Sequence, residues 1–147
     1  MSSSKSHEVR QLTVADINEG DSYTFEVDLT EGMIDSFSRL TGDVSTLHLD
    51  ADFAKKRGFE SRVCHGVLLG GLFSRLVGVH LPGQNALLQT MNLKFLQPAY
   101  AGMTLVVHGV VCQVSESNSI IVLKADITDM KSETVLVRAK IQVGLTG

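Results

Sequence analysis

The chain has 147 residues, of which 44% are hydrophobic and 20% charged, and it contains only two prolines. This length suits one domain, and the composition excludes intrinsic disorder and low-complexity fibres. The net charge is −3, from 13 basic and 16 acidic residues. Since Lys and Arg form no block, neither a nucleic-acid partner nor an anionic membrane surface is expected.

The two cysteines give no sign of a metal site. Cys64 and Cys112 lie far apart and lack the spacing of zinc ligands. The polar N-terminus has no apolar signal region, and the uncharged stretch over 76–93 is interrupted by a Pro-Gly turn, so no membrane span is predicted. These features indicate a cytoplasmic protein with reduced thiols.

The first part of the chain shows one strand and one helix. Residues 1–12, rich in serine, are predicted to be a disordered tail, and 13–147 a single domain. Apolar and polar residues alternate over 22–29, which predicts a half-buried strand. Thr30 is suited to cap the helix that follows, and Gly42 to end it. The apolar side of this helix is predicted from Met33, Ile34, Phe37 and Leu40.

The centre of the chain predicts a buried helix. A short helical segment over 51–57 ends at Gly58, and residues 67–79 are then apolar on almost every face. A helix of this kind is expected to be buried on all sides. Gly70 and Gly71 lower helix propensity, and we expect them to allow close packing against a sheet.

Four β-rich segments follow, over 85–96, 103–114, 119–128 and 133–143. Strand, helices and then four strands predict an α+β domain in which an antiparallel sheet wraps around the central helix. This is the pattern of the hot-dog fold.

Asp43 and His48 are the first candidates for chemistry. They lie five residues apart in a polar segment that leaves a helix at Gly42. A carboxylate and an imidazole that face one pocket can hold a water molecule and move protons in both directions. Because this spacing also arises by chance, the residues alone leave their role open.

Gly66 is the second candidate, at the start of the apolar helix. The free N–H of a residue in the first helical turn is an oxyanion donor for a thioester carbonyl. The alternative is that Gly66 only eases the entry into a crowded helix. Leu68, Leu69 and Leu72 are suited either to an acyl tunnel or to the core, and Cys64 is predicted to be an inert buried thiol.

The motif from Phe37 to Asp50, FSRLTGDVSTLHLD, resembles the hydratase 2 motif of the MaoC-like, R-specific enoyl-CoA hydratases. The resemblance extends over 22–143. It includes Phe53-Ala54, Gly58-Phe59, Val63, His65-Gly66, Leu72-Phe73-Ser74, Leu93 to Ala99 and Gly102.

This resemblance implies a hot-dog fold, a homodimer with active sites at the subunit interface, and an acyl thioester substrate on CoA or an acyl carrier protein. It implies no metal or redox cofactor. Asp43 and His48 match the catalytic pair that binds the water added across the 2,3-double bond, and Gly66 matches the glycine that polarises the thioester oxygen. Ser74 matches a serine near the active site, and Leu68 is expected to contact substrate.

The sequence departs from the family at one place. The family reads Asp-x-Asn-Pro-x-His, whereas this chain has Ser45-Thr46 in the middle. A non-catalytic acyl-thioester-binding subunit therefore stays open as an alternative. A hot-dog thioesterase is a second alternative, although the absence of Asp and Glu from 67–79 disfavours it. Four residues are equal candidates for the CoA phosphates: Arg57, Arg62, Arg75 and Lys94.

Overall fold

The computed structural model describes residues 8–147. One antiparallel sheet contains five strands in the order β1-β3-β4-β5-β2. The strands are β1 (Ser22–Asp28), β2 (Ala86–Phe95), β3 (Thr104–Ser115), β4 (Ile120–Asp129) and β5 (Val135–Leu145). The helices are α1 (Glu31–Thr41), α2 (Thr46–Leu49), α3 (Ala51–Lys56) and α4 (Gly66–Arg75), and a π-helical turn over Leu76–His80 extends α4.

The predicted α+β class, with its sheet around a central helix, is confirmed. All five predicted strands form, and their ends differ from the prediction by only a few residues. Strand β2 is irregular, because its register with β5 shifts between Leu88 and Thr90. Such a bulge re-aims the side chains that follow it.

Helix α1 begins and ends where its capping residues predict. The Thr30 side chain accepts a hydrogen bond from the Met33 N–H, and Gly42 adopts the left-handed conformation that ends the helix. The predicted apolar side is wrong at one position, since Leu40 is 83% exposed. Because Gly42 ends the helix, the loop that carries Asp43 begins directly after it.

Helix α4 and the π turn pack against one face of the sheet through residues such as Phe73 and Leu76, both fully buried. The prediction that this helix is buried on all sides is wrong. Val67 is 69% exposed, and Gly71 and Ser74 share its exposed face. The physical reason is that one sheet covers only one side of a helix.

The two central glycines differ. A side chain on Gly70 would meet the Leu93 side chain at 3.0 Å, so this residue does permit the close packing that was predicted. At Gly71 nothing lies within 4 Å of the added carbon, and the same prediction is wrong there.

Order begins before the predicted domain boundary at residue 13. Of the predicted tail, residues 1–7 lie outside the described residues, but the Arg10 N–H donates to the Val79 carbonyl and the Leu12 N–H to the Pro82 carbonyl. Within residues 8–147, no helix is both long and apolar enough to cross a membrane.

Candidate active site

The loop after α1 is held by its own polar groups. The Thr41 hydroxyl donates to the Phe37 carbonyl at 2.8 Å and accepts from the Asp43 N–H at 3.1 Å. The Ser45 N–H donates to Asp43 Oδ1 at 3.3 Å. The loop therefore orients the Asp43 carboxylate without the asparagine and proline of the related motif.

The residues that follow form a short helix, which the sequence did not predict. Helix α2 begins at Thr46, and the His48 N–H donates to the Ser45 carbonyl at 3.0 Å. His48 Nδ1 lies 2.7 Å from the Val63 carbonyl oxygen. Because a carbonyl oxygen only accepts, Nδ1 carries the proton, and the neutral ring keeps its lone pair on Nε2.

The structure brings the two predicted residues together. His48 Nε2 lies 3.9 Å from Asp43 Oδ2. This distance is too long for a direct hydrogen bond and suits a shared polar atom between the two groups. The His48 side chain is 16% exposed and the Asp43 side chain 46%, so the pair faces solvent from one side.

Arg62 holds His48 from its backbone. Its Nε donates to the His48 carbonyl at 2.8 Å, and its guanidinium forms an ion pair with Asp35 on α1. The Arg62 side chain is only 14% exposed. It therefore links α1 to the end of α2, and it is not a free ligand for a CoA phosphate.

His65 lies beneath the pair. Its Nε2 is 3.0 Å from Ser38 Oγ and 3.3 Å from the Asp43 carbonyl oxygen, and its ring centroid is 3.9 Å from that of His48. Burial lowers the pKa of His65. The contacts with Asp43 oppose this shift, whereas the neighbouring His48 and Arg62 act in the same direction as burial, and the net shift is downward. His65 is thus neutral near pH 7.

An apolar cleft of about 460 Å³ opens beside His48. Gly66 lines it, and none of the described hydrogen bonds uses the Gly66 N–H. A side-chain carbon on Gly66 would meet the Phe95 ring at 2.8 Å, so a glycine here also permits this close approach. Both interpretations of Gly66 therefore have a structural basis. Other lining residues are Phe59, Val63, Leu69, Leu96, Pro98 and Ala99.

The remaining predicted contacts lie elsewhere. Leu68 is buried and lines a second depression with Met33 and Phe37, which suits either of its predicted roles. Ser74 lies on the exposed face of α4 and lines neither of these two cavities. The substrate-binding roles of Leu68 and Ser74 stay predictions.

Two other groups have clear roles in the fold. Burial raises the pKa of the Cys64 thiol to about 12, so it is not a nucleophile at neutral pH. Among the phosphate candidates, Arg57 lies over the Phe53 ring and Arg75 over the Phe25 ring. Lys94 is exposed on the outer face of the sheet, and it lies over no aromatic ring among the described residues.

Asp43, His48 and His65 present ligand atoms that all lie within 4.8 Å of one another. Imidazole and carboxylate are ligands that divalent metals accept. However, His65 Nε2 already serves Ser38 and Asp43. The arrangement suits acid–base chemistry at His48 and Asp43 directly.

The roles of Arg62 and His65 were not predicted from the sequence. Arg62 was one of four phosphate candidates, and His65 was named only as part of the family match. Both act on residues more than a dozen positions away, and periodicity carries no signal for such contacts.

Comparisons with known proteins show which family this chain resembles. The model of the MaoC like domain family matches residues 14–131. An (R)-specific enoyl-CoA hydratase of Rhodospirillum rubrum is 35% identical over 89 residues, which cover 60% of this chain and 62% of that protein. A 3-hydroxybutyryl-CoA dehydratase of Methylorubrum extorquens is 30% identical over 95 residues, covering 65% and 60%. This chain thus spans less than two thirds of the length of either relative.

A solved structure, described as an (R)-hydratase from A. caviae involved in PHA biosynthesis, has the same fold. It superposes with a TM-score of 0.83 at 28% identity, covering 88% of this chain and 97% of that chain. Together with the family match, which includes most of the sheet and all four helices, this similarity identifies the family. The chain belongs to the MaoC-like domain family.

Proposed function

We propose that this protein is an R-specific 2-enoyl-thioester hydratase, which also runs the reverse reaction as a 3-hydroxyacyl-thioester dehydratase. The observation that carries the proposal is the pairing of His48 Nε2, with its free lone pair, and Asp43 Oδ2 at 3.9 Å beside an apolar cleft. The names of the relatives support the same reaction class.

A water molecule between the two groups donates to both Asp43 Oδ2 and His48 Nε2. As its oxygen attacks C3, one proton passes to this pair, and the pair delivers a proton to C2 while the 2,3-double bond is lost. The net change is OH at C3 and H at C2. A positioned acid–base group of this kind contributes about 10²–10⁴-fold in rate.

Negative charge develops on the thioester oxygen when C3 is attacked. The Gly66 N–H at the N-terminus of α4 donates a hydrogen bond to this oxygen, and the positive end of the helix dipole further stabilises the negative charge. Its position in the cleft lined by His48 supports this role.

We infer that the substrate is an acyl thioester carried by CoA or by an acyl carrier protein. The lining of the cleft beside His48 is mostly apolar, which suits an acyl group or the arm of its carrier. Nothing specifically favours a thioesterase, because Gly66–Arg75 and Leu76–His80 contain no carboxylate. A non-catalytic binding subunit was suggested by the Ser45-Thr46 departure, but the hydrogen bonds of this loop to Asp43 disfavour it.

We also propose a homodimer. Strand β2 is an edge strand with exposed apolar side chains, and the exposed face of α4 adds Val67 and Ser74. Long apolar edges are normally covered in native proteins. A second copy would cover both, and Val67→Glu should then give a monomer by light scattering. An unchanged mass would contradict this interface.

We also expect the protein in the cytoplasm, since both cysteines are free.

The test of the reaction uses Asp43→Asn and His48→Gln with crotonyl-CoA, whose conjugated thioester absorbance disappears on hydration. Both variants should fold as the wild type does but lose at least about 10²-fold in kcat. His108→Gln is a matched control, because His108 lies on β3 and bonds Thr24. Full activity in both Asp43→Asn and His48→Gln would overturn the proposal.

A further inference from the structure

We propose that His65 is a positioning residue for the catalytic pair: its Nε2–H holds the backbone of Asp43 while its ring supports the ring of His48. This inference rests on the proposed function. It adds a residue that does not contact the substrate but sets the distance between the two groups that do.

The hydrogen bonds assign the proton on His65. The ring is 2% exposed, and its Nε2 lies 3.3 Å from the Asp43 carbonyl oxygen and 3.0 Å from Ser38 Oγ. A carbonyl oxygen accepts only, so this contact requires Nε2–H. Nδ1 then holds a lone pair, buried and without a partner within residues 8–147. The other tautomer would bury an unpaired N–H, which native structures avoid more strictly.

The ring of His65 restricts the ring of His48. The two ring centroids are 3.9 Å apart, and the ring planes are tilted by 30°. The centroid of the Phe37 ring lies 4.7 Å from that of His65. His48 is otherwise held at Nδ1 by the Val63 carbonyl and at its own carbonyl by Arg62. His65 is thus the contact that acts on both members of the pair, on one through the backbone and on the other through the ring.

The charge state of His65 suits this task. Burial lowers its pKa, and the charges of His48 and Arg62 lower it further, with Asp43 acting in the opposite direction. A neutral His65 places no second positive charge against His48 when His48 takes a proton from water. Its contribution is therefore geometric, and an ångström-scale displacement costs about 10²-fold in rate.

Two amide substitutions separate this role from simple core filling. The amide nitrogen of Gln occupies nearly the place of His Nε2, whereas the amide of Asn lies near His Nδ1. His65→Gln should therefore keep the donor to Asp43 but lose the ring contact with His48, so its kcat should fall less than that of His65→Asn. His65→Asn should lose about 10²-fold in kcat with little change in KM.

The control for lost core packing is His80→Gln, at a buried histidine on the π turn, away from the pair. It should lower thermal stability and leave kcat near that of the wild type. Ser38→Ala should lower kcat less than His65→Asn does, since it removes only one of the two Nε2 contacts.

A second readout does not use activity. In ¹⁵N-histidine NMR spectra, His65 should show the Nε2–H tautomer, and the His48 ring signals should move in His65→Asn but not in His80→Gln. Equal kcat values for His65→Gln and His65→Asn, or an Nδ1–H tautomer at His65, would overturn the inference. Should His65→Asn fail to fold, the kcat of Ser38→Ala and the tautomer of His65 in the wild type test the inference instead. Failure of the proposed function is distinct: in that case Asp43→Asn and His48→Gln retain activity.

Discussion

At the scale of single residues, Gly66 has two features that substitution can separate: a backbone N–H that none of the described hydrogen bonds uses, at the lining of the cleft, and the absence of a side chain beside Phe95. Gly66 is the first residue of α4, a position where proline fits because its missing N–H has no helical partner. His65 before it is already extended, with φ −57° and ψ 129°, as a residue before proline must be.

Gly66→Pro should therefore remove the oxyanion donor and keep the helix. We expect kcat to fall by about 10²–10³-fold. Gly66→Ala is the matched control, since it crowds the Phe95 ring in the same way but keeps the N–H. Kinetics with crotonyl-CoA check both variants. Equal losses in the two would show that Phe95 packing, and not the N–H, is what Gly66 provides.

At the scale of elements, the segment from α1 to α2 shows which features the sequence can predict. Thr30 and Gly42 were predicted correctly because caps are local: each is decided by a few neighbouring backbone groups. The four residues of α2 were missed because one turn has no periodicity. The contacts of Arg62 and His65 were missed because they depend on how distant segments meet in the folded chain.

The α2 loop itself provides a stability prediction. Thr46 is the first residue of α2, none of the described hydrogen bonds uses its N–H, and Ser45 has φ −60° and ψ 142°. Proline is compatible with these features. Thr46→Pro should thus raise the free energy of unfolding by about 0.4–1 kcal/mol with activity retained. Urea unfolding measures it, and a destabilised variant would contradict the described conformation of this loop.

Arg62 connects α1 to α2, and its loss should affect both stability and rate. Arg62→Gln removes the charged donor from the His48 carbonyl and the ion pair with Asp35. We expect a loss of about 1.5–3 kcal/mol in stability, the range for hydrogen bonds to charged groups. The rate should also fall, because His48 is less well held. Arg39→Gln is the control, since Arg39 is exposed on α1, the helix that carries Asp35, and forms a hydrogen bond only with Ser36 among the described residues. Similar kinetics in the two variants would argue against this role.

At the scale of the whole molecule, the mistaken expectation for α4 is informative. Apolar composition predicts that a helix is covered, but it does not specify what covers it. The sheet buries Phe73 and Leu76, whereas Val67 and Ser74 stay open in one protomer. The architecture was predictable from the sequence because strand alternation and helix caps are local, while the surface that a second copy would cover was not.

Stability should depend on pH through His65. Its pKa in the folded chain lies below the ordinary value of 6.5, so the unfolded chain binds this proton more readily. The stability linked to a neutral His65 is therefore complete above pH 6.5 and is lost as the pH falls toward the folded pKa. His65→Gln should show a smaller loss between about pH 7.5 and about pH 5.5 in urea unfolding. The wild type and the variant must be compared at the same protein concentration, because the stability of a dimer depends on that concentration. Identical losses would contradict a lowered pKa.

The most direct test of the central claim is the configuration of the product formed from crotonyl-CoA. Chiral analysis of the 3-hydroxy product would be made with the wild-type protein and with His48→Gln in parallel. The account predicts the R product from the wild type and no product above background from the variant. An S product, or an R product formed equally well without the His48 imidazole, would contradict it.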